Sequence, residues 1–262
     1  MKIKKIFLIL LIIIFIIPVA VLIIQTFSSR WIWPQIIPKQ INLRALSYLQ
    51  HESSSILTNL GSSFLYSIIT VILSFLISIF PASVLARNNF KGKAILEALF
   101  LLPVLVPSIT FAMGIHLFFI YLNLSDTFLG VVFILTSFTY PYMLRALLVG
   151  YTVMGMEYSS TAKNLGAGKL NILLGIEIPL ILPAAVAGGS IVFLAAFSEY
   201  FLVFLIGGGA VPSYSGYLFP FLLSSDRQTA SLLSLIFLII PISLFLILDS
   251  TVLNYYRKRG MV

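Results

Sequence analysis

Long apolar runs separated by short polar stretches dominate this sequence. A helix needs roughly 17–25 apolar residues to cross about 30 Å of hydrocarbon. Six runs meet this requirement, at residues 6–27, 62–86, 98–122, 127–144, 178–206 and 230–248. Because helices satisfy all their backbone groups internally, the pattern predicts an all-α membrane protein with six transmembrane helices. We interpret residues 1–262 as one polytopic transmembrane domain.

The composition agrees with the apolar pattern. The chain is 60% hydrophobic and 9% charged, whereas soluble domains have about 25% charged residues. The chain contains no cysteine, which excludes disulfides, thiolate metal sites and cysteine nucleophiles. The first run has 22 residues, longer than the roughly 7–15 apolar residues of a secretory signal. A retained first span is therefore favoured over a cleaved signal.

The sixteen lysines and arginines predict the orientation. With the N-terminus inside, twelve of them lie on the cytoplasmic side and four outside, as the positive-inside rule requires. The twelve are Lys2, Lys4, Lys5, Arg87, Lys91, Lys93, Arg145, Lys163, Lys169, Arg257, Lys258 and Arg259, and the four are Arg30, Lys39, Arg44 and Arg227. Both termini are predicted to be cytoplasmic. The basic residues lie at the ends of apolar runs and form no basic domain, which argues against nucleic-acid binding despite the net charge of +8.

The segment 156–177, between the fourth and fifth runs, has a different pattern. A polar stretch with helical spacing leads into Gly166-Ala167-Gly168, and leucines then recur at 170, 173 and 174. This pattern predicts two short amphipathic helices joined by a glycine turn. The orientation places the segment in the cytoplasm, where its apolar face needs a partner. The alternative is an amphipathic stretch that lies on the lipid surface without a partner.

This segment resembles the coupling loop of permease subunits of binding-protein-dependent ABC importers, which has the form E-A-A-x-x-x-G with a later L-P close. Gly166 matches the glycine, Ala162 the second alanine, and Ile178-Pro179 the close. Ser160 stands where the family has its glutamate, and Glu157 is the nearest acidic residue.

The resemblance extends from Ser62 to Leu248. It includes the basic stretch 88–93, the prolines of 100–107 and Tyr140-Pro141 with Arg145. Ser198-Glu199-Tyr200, followed by the glycines of 205–209, is similar to the polyamine, thiamine and ferric-iron branch of the family.

The resemblance implies a type I importer fold in a bacterial inner membrane, with alternating access and no enzymatic activity or cofactor in this chain. It also implies three kinds of protein partner: cytoplasmic ATPase subunits that bind ATP and Mg²⁺, a second permease (a copy or a sister), and an extracytoplasmic solute-binding protein. The solute-binding protein would contact the first external loop and the loop 207–229. The coupling residues it implies are Glu157, Ser160, Ala162, Lys163, Leu165, Gly166, Ala167, Lys169 and Leu170. Of these, Leu165, Ala167 and Leu170 would pack in a groove of the ATPase, and the two lysines would contact its acidic rim.

Three residues inside the apolar runs are candidates for the solute path. Glu199, next to Ser198, is an intramembrane carboxylate, which either faces the path and attracts a cation or is wetted near the outer boundary. His116 either lines the path or is a hydrogen-bonded packing residue, and packing is favoured because its run holds no second titratable group. One carboxylate favours a small polar or cationic solute such as a polyamine, thiamine or ferric iron, and anions remain open.

The sequence has no G-x-x-x-x-G-K-[ST] motif for binding nucleotide phosphates and no residues at metal-ligand spacing.

Three other functions are alternatives to an importer subunit. A secondary transporter usually shows internal repeats and several intramembrane acids, and a membrane-embedded enzyme needs paired catalytic groups. A scaffold without transport is the third alternative, and an uptake assay would distinguish it.

Overall fold

A computed structural model describes residues 2–29, 31 and 34–258, and its regular structure is helical. The helices are α1 Lys2–Thr26, α2 Arg44–His51, α3 Ser53–Arg87, α4 Lys93–Leu105, α5 Ser108–Tyr121, α6 Phe128–Met154, α7 Glu157–Asn164, α8 Lys169–Ile172, α9 Ile178–Ser198, α10 Phe201–Gly207, α11 Tyr214–Leu223 and α12 Arg227–Lys258. A π-helical turn, Leu173–Glu177, joins α8 to α9. The prediction of an all-α protein is confirmed.

Four stretches of helix are long and apolar enough to cross a membrane, namely Ser53–Arg87, Phe128–Met154, Lys169–Ser198 and Arg227–Val252. The bent pair α4–α5 raises the number to five if it is counted as one span. The first predicted run lies on α1, whose described apolar part, Ile12–Thr26, is shorter than a full span. The count of six spans stays a prediction.

The third predicted run, 98–122, is not one straight helix. α4 and α5 are bent by 97° relative to each other, at the break formed by Val106 and Pro107. A proline disfavours helical geometry at the residue before it, and Val106 is extended, with φ −90° and ψ 132°. The proline therefore ends one helix before the next begins.

Further boundaries differ from the prediction. The fourth run was expected to end at residue 144, but α6 continues to Met154. The fifth run was expected to extend to residue 206, but α9 ends at Ser198 and a separate helix, α10, follows. The stretch 207–229 was expected to be a loop, but it contains α11. Ser213 begins α11 because its side chain accepts a hydrogen bond from the backbone N–H of Gly216.

The chain forms two compact units, of which the first comprises Met1–Gly61 and Pro212–Ile240. Polar contacts join its two sequence segments: Gln228 Nε2 donates to the side-chain oxygen of Asn42 at 2.5 Å, and Arg44 pairs with Asp226. The hydroxyls of Tyr48 and Tyr217 lie 2.6 Å apart. These contacts hold segments more than 160 residues apart in sequence as one body.

The second unit, Ser62–Val211 with Pro241–Val262, is built around the packing of α6 against α9. A Cβ added at Gly150 would lie 2.6 Å from the Cβ of Ala184, and one at Gly188 would lie 2.7 Å from that of Ala146. Each helix thus contributes a small residue on two successive turns, in antiparallel order. Small residues allow membrane helices to approach closely, so Gly150 and Gly188 serve the packing of these two helices.

Candidate functional site

The segment 156–177 folds as a helix, a glycine turn and a second helix, as its pattern predicts. α7 ends in a Schellman motif, in which the N–H of Ala167 donates to the carbonyl of Ala162 and the N–H of Gly166 to that of Lys163, both at 3.0 Å. Gly166 has φ +87°, a conformation that side chains with a Cβ resist. The glycine of the sequence motif therefore has a direct structural role at this turn.

The turn exposes two leucines. Leu165 is 83% exposed and Leu170 is 71% exposed, although leucine is normally a core residue. Lys163 and Lys169 are exposed beside them. We call Leu165 to Leu170 the corner of the loop. Of the other predicted coupling residues, Glu157 and Ser160 are exposed, and Ala162 and Ala167 are half-buried.

A buried carboxylate fixes the opposite side of the loop. Glu177, in the π-helical turn, is only 7% exposed. Its Oε1 accepts hydrogen bonds from Nη2 of Arg87 at 2.7 Å and from Oγ of Ser159 at 2.9 Å. The Tyr151 hydroxyl lies 3.4 Å from Oε2, and the Arg87 guanidinium stacks 5.0 Å from the centroid of the Tyr151 ring. We call these four residues the anchor.

The anchor joins four elements that are separate in the sequence. Arg87 is the last residue of α3, Tyr151 lies in the last turn of α6, Ser159 lies in α7, and Glu177 precedes α9. A buried charge is stable only when it is paired and hydrogen-bonded, so Glu177 holds all four elements at one point.

Two prolines at the start of α9 leave one backbone carbonyl without its helical donor. Pro183 has no N–H to donate to the carbonyl of Pro179, and the hydroxyl of Tyr256 donates to that carbonyl instead. The π-helical turn lies directly before this start, and such turns are frequent at functional sites. The turn carries Glu177 into the anchor.

A cavity of about 680 Å³ lies behind the loop, beside the anchor. Its walls combine apolar residues of α3 with basic and hydroxyl residues of the loop: Ile79, Phe80, Ser83, Arg87, Tyr151, Met156, Ser159, Ser160, Lys163, Lys169, Leu170, Ile172, Leu173 and Glu177. Among the described residues, the side-chain hydrogen bonds from α3 to the loop are those of Arg87. The anchor is thus the polar link between α3 and the loop.

The three predicted path residues lie elsewhere in the second unit. Oε1 of Glu199 accepts hydrogen bonds from the N–H groups of Phe201 at 3.1 Å and Leu202 at 3.3 Å, so its carboxylate caps α10. Ser198 donates to the carbonyl of Leu194 at 2.7 Å. His116 is half-buried on α5. Within the described part of the chain, no group of three or more His, Cys, Asp or Glu side chains could hold a metal ion.

The sequence pattern missed the anchor. Arg87 was assigned only to the basic end of an apolar run, and Glu177, Ser159 and Tyr151 were given no role. An acidic residue directly before a long apolar run was the available signal, because a carboxylate at that position needs a cationic partner. The pattern did not indicate which arginine or lysine would supply it.

The family comparison covers this whole region. The model of the family described as "Binding-protein-dependent transport system inner membrane component" matches residues 74–258. The chain belongs to this family. The match includes the corner, the anchor and the helices on both sides of them. Its members are permease subunits of ABC transporters, so this chain is a multi-pass inner-membrane transport component and not an enzyme.

Curated relatives are similar at a distance. The molybdate/tungstate permease WtpB of Pyrococcus abyssi is 25% identical over 148 residues, which cover 56% of this chain and 59% of the relative. The chain thus spans about three fifths of the length of the first relatives it matches. The spermidine/putrescine permease PotC of Escherichia coli is 26% identical over 204 residues, covering 76% of this chain and 73% of the relative.

A solved structure shares the fold. The chain resembles one from a bacterial ABC transporter that imports the acidic polysaccharide alginate, with a TM-score of 0.71 and 17% sequence identity. The match covers 97% of this chain and 95% of the other.

Proposed function

We propose that this chain forms half of the solute pathway of an ABC importer and that its segment 156–177 is the docking site for a separate cytoplasmic ATPase. The observation that carries the proposal is the corner, where two leucines are more than 70% exposed on a turn whose other side is fixed by the anchor. Exposed leucines on a rigid support fit a protein groove.

Burial of the corner would provide a substantial part of the docking free energy. Covering one leucine side chain is worth about 1.5–3 kcal/mol, so the two together are worth about 3–6 kcal/mol before the costs of association. The exposed Lys163 and Lys169 would add electrostatic attraction to an acidic rim. When the ATPases close on ATP, rigid-body motion of the loop would switch access to the pathway.

The predicted orientation gives the other partners their places. The twelve-to-four distribution of basic residues supports cytoplasmic termini, although Arg30 and Arg259 lie outside the described residues. A second permease, a copy or a sister, would complete the pathway. A solute-binding protein would dock outside on the first unit, where Ile36, Ile37 and Ile41 are each at least 76% exposed.

We infer a small polar or cationic nutrient of the polyamine, thiamine or ferric-iron class as the solute. The support is the carboxylate of Glu199, next to Ser198, in an otherwise apolar stretch. Relatives named for molybdate and tungstate and for polyamines are similarly distant from this chain, so competition assays with both charge classes are the direct test. Uptake of labelled polyamine that is inhibited by polyamines and not by molybdate would support the inference.

The docking proposal is tested with the double variant Leu165→Glu/Leu170→Glu in membranes that also contain the ATPase. The expected result is loss of the ATPase from the purified complex and loss of ATP-dependent uptake, because two charges cannot enter an apolar groove. The matched control is Leu165→Met/Leu170→Met, which keeps the apolar surface. Retention of the ATPase by the glutamate variant would contradict the proposal, and uptake without any ATPase would favour the secondary-transporter alternative.

A further inference from the structure

One face of α3 carries a row of buried hydroxyl groups. The spacing of three and four residues places them on one side of the helix, one above the other. All of them are fully buried, with 0% exposure: Ser63, Ser67, Thr70, Ser74 and Ser78.

Three of these hydroxyls are unusual because they lack a hydrogen-bond partner. The side-chain oxygens of Ser67, Thr70 and Ser74 have none within the described part of the chain. A serine or threonine in an apolar helix commonly donates to the carbonyl four residues earlier. Thr139 on α6 and Ser190 on α9 do so, at 2.7 Å and 2.8 Å. Helical position alone therefore does not explain the three unpartnered hydroxyls.

Contacts at one end and on both flanks of the row enclose it among other helices of the second unit. At the C-terminal end of the row, the hydroxyl of Ser78 donates to the backbone carbonyl of Tyr140 on α6 at 3.5 Å. On one flank, the ring of Phe64 lies 5.5 Å from that of Phe193 on α9. On the other flank, Tyr66 belongs to the apolar core formed with α5, α6 and α10. The hydroxyls between these contacts are closed off from solvent.

Burial of an unpartnered hydroxyl is unfavourable compared with alanine or valine at the same place. Three unpartnered hydroxyl groups on one helix face therefore destabilise the packing observed here. A state in which α3 separates from α6 and α9 would remove this cost, because water or a polar solute would then provide the missing hydrogen bonds. A second state of the same region would account for a row of buried polar groups in a transport protein.

We propose that Ser67, Thr70 and Ser74 line a solute route that is closed in this structure and opens along α3 during transport. The inference rests on the proposed function, since it needs the chain to alternate between two states. Neutral hydroxyls donate and accept hydrogen bonds with either sign of charge. The row therefore suits a polar, hydrogen-bonding solute and leaves charge selection to other groups.

The natural absence of cysteine allows a direct test. Ser67→Cys, Thr70→Cys and Ser74→Cys are each made singly in the complete transporter, reconstituted with its ATPase and binding protein. The probe is a cationic methanethiosulfonate, which reacts with thiolates and therefore requires water at the site. Thr139→Cys is the matched control, because Thr139 is equally buried but already hydrogen-bonded.

In the resting protein the open state would be a minor one, typically populated at ~0.1–10%. ATP turnover populates this state more often, so the labelling rates of the three cysteine variants should rise by about tenfold or more over the resting state. The control should stay unlabelled. ATP-dependent uptake by the same variants tests the proposed function separately. Uptake that persists while all three cysteines label no faster than Thr139→Cys in every nucleotide state would overturn the present inference alone.

A triple variant, Ser67→Ala/Thr70→Val/Ser74→Ala, tests the role of the hydroxyls themselves. It removes only unpartnered groups, so we expect an equal or higher thermal midpoint together with a fall in uptake and retained ATP hydrolysis. If the hydroxyls served only the packing of α3, the triple variant would not lose uptake while keeping its thermal stability. A triple variant that takes up solute at the wild-type rate would also overturn the inference.

Discussion

Removal of the Glu177 carboxylate should release the loop from the membrane helices. In Glu177→Ala, Arg87 loses its ion-pair partner and Ser159 loses its acceptor. The polar link from α3 to α7 is then reduced to the 3.3 Å hydrogen bond from Nη2 of Arg87 to Oγ of Ser159. Tyr151 keeps its stacking contact with the guanidinium, but that contact lies within the membrane helices and does not hold the loop.

The magnitude follows from the burial of the pair. Breaking a buried ion pair by removing one partner costs about 3–5 kcal/mol. The Arg87 side chain is 18% exposed, so water partly solvates it, and the lower end of the range applies. A cost of about 3 kcal/mol corresponds to roughly a hundredfold shift from the anchored to the released loop.

Hydrogen exchange measures this shift directly. In the purified transporter, amides of α7 and α8 should exchange up to about a hundredfold faster in Glu177→Ala, because local opening sets their protection. A transporter assembled with Glu177→Ala should still hydrolyse ATP through its ATPase but take up little solute, because motion at the corner is transmitted poorly to α3. Arg87→Ala should behave alike.

The matched control is Glu157→Ala, which removes an exposed carboxylate from the same loop. It should leave exchange and coupling near wild type. If Glu177→Ala and Glu157→Ala were indistinguishable in both measurements, the reasoning about the anchor would be refuted.

Three further predictions concern other positions. Gly166→Ala should cost about 1–2 kcal/mol at the turn and lower uptake per ATP, because φ +87° is unfavourable for alanine. Gly168→Ala is its control, since φ −69° suits any residue, and equal uptake by the two would contradict the prediction. Gly188→Val should lower the yield of folded protein, because even a Cβ there would lie 2.7 Å from the Cβ of Ala146 on α6. Its control is Gly114→Val, which should leave the yield unchanged because a Cβ at Gly114 meets nothing within 4 Å. Glu199→Gln keeps an oxygen that can cap α10, so reduced uptake of a cationic solute at unchanged thermal stability would assign the charge to the solute path, whereas unchanged uptake would leave it as a cap.

The sequence predicted features that depend on local patterns. Apolar length predicted the membrane helices, and the glycine-containing break predicted the turn at Gly166. The bend at Pro107 was missed because a proline is compatible with either a kink or a complete break, and packing decides between them. α11 was missed because its glycine and proline are typical of loops, while the Ser213 cap and a tyrosine-rich core stabilise it as a helix.

The anchor was beyond sequence reasoning for a different reason. Arg87 and Glu177 are 90 residues apart, and only the tertiary fold, which places the end of α3 beside the start of α9, brings them together. Charge patterning along one helix detects partners three or four residues apart. It gives no information on pairs that join different helices.

Ser160 takes no part in the anchor. In the resembling loops a glutamate stands there, but the hydroxyl of Ser160 donates to the carbonyls of Met156 at 2.8 Å and Glu157 at 3.0 Å, within α7 itself. The carboxylate that holds α7 is that of Glu177, in the π-helical turn at the other end of the loop, which accepts a hydrogen bond from the neighbouring Ser159. The start of α7 is therefore fixed to the membrane helices, while its far end, at Leu165, stays exposed. In the proposed importer, a push at that end would be transmitted through one carboxylate to α3, α6 and α9 together.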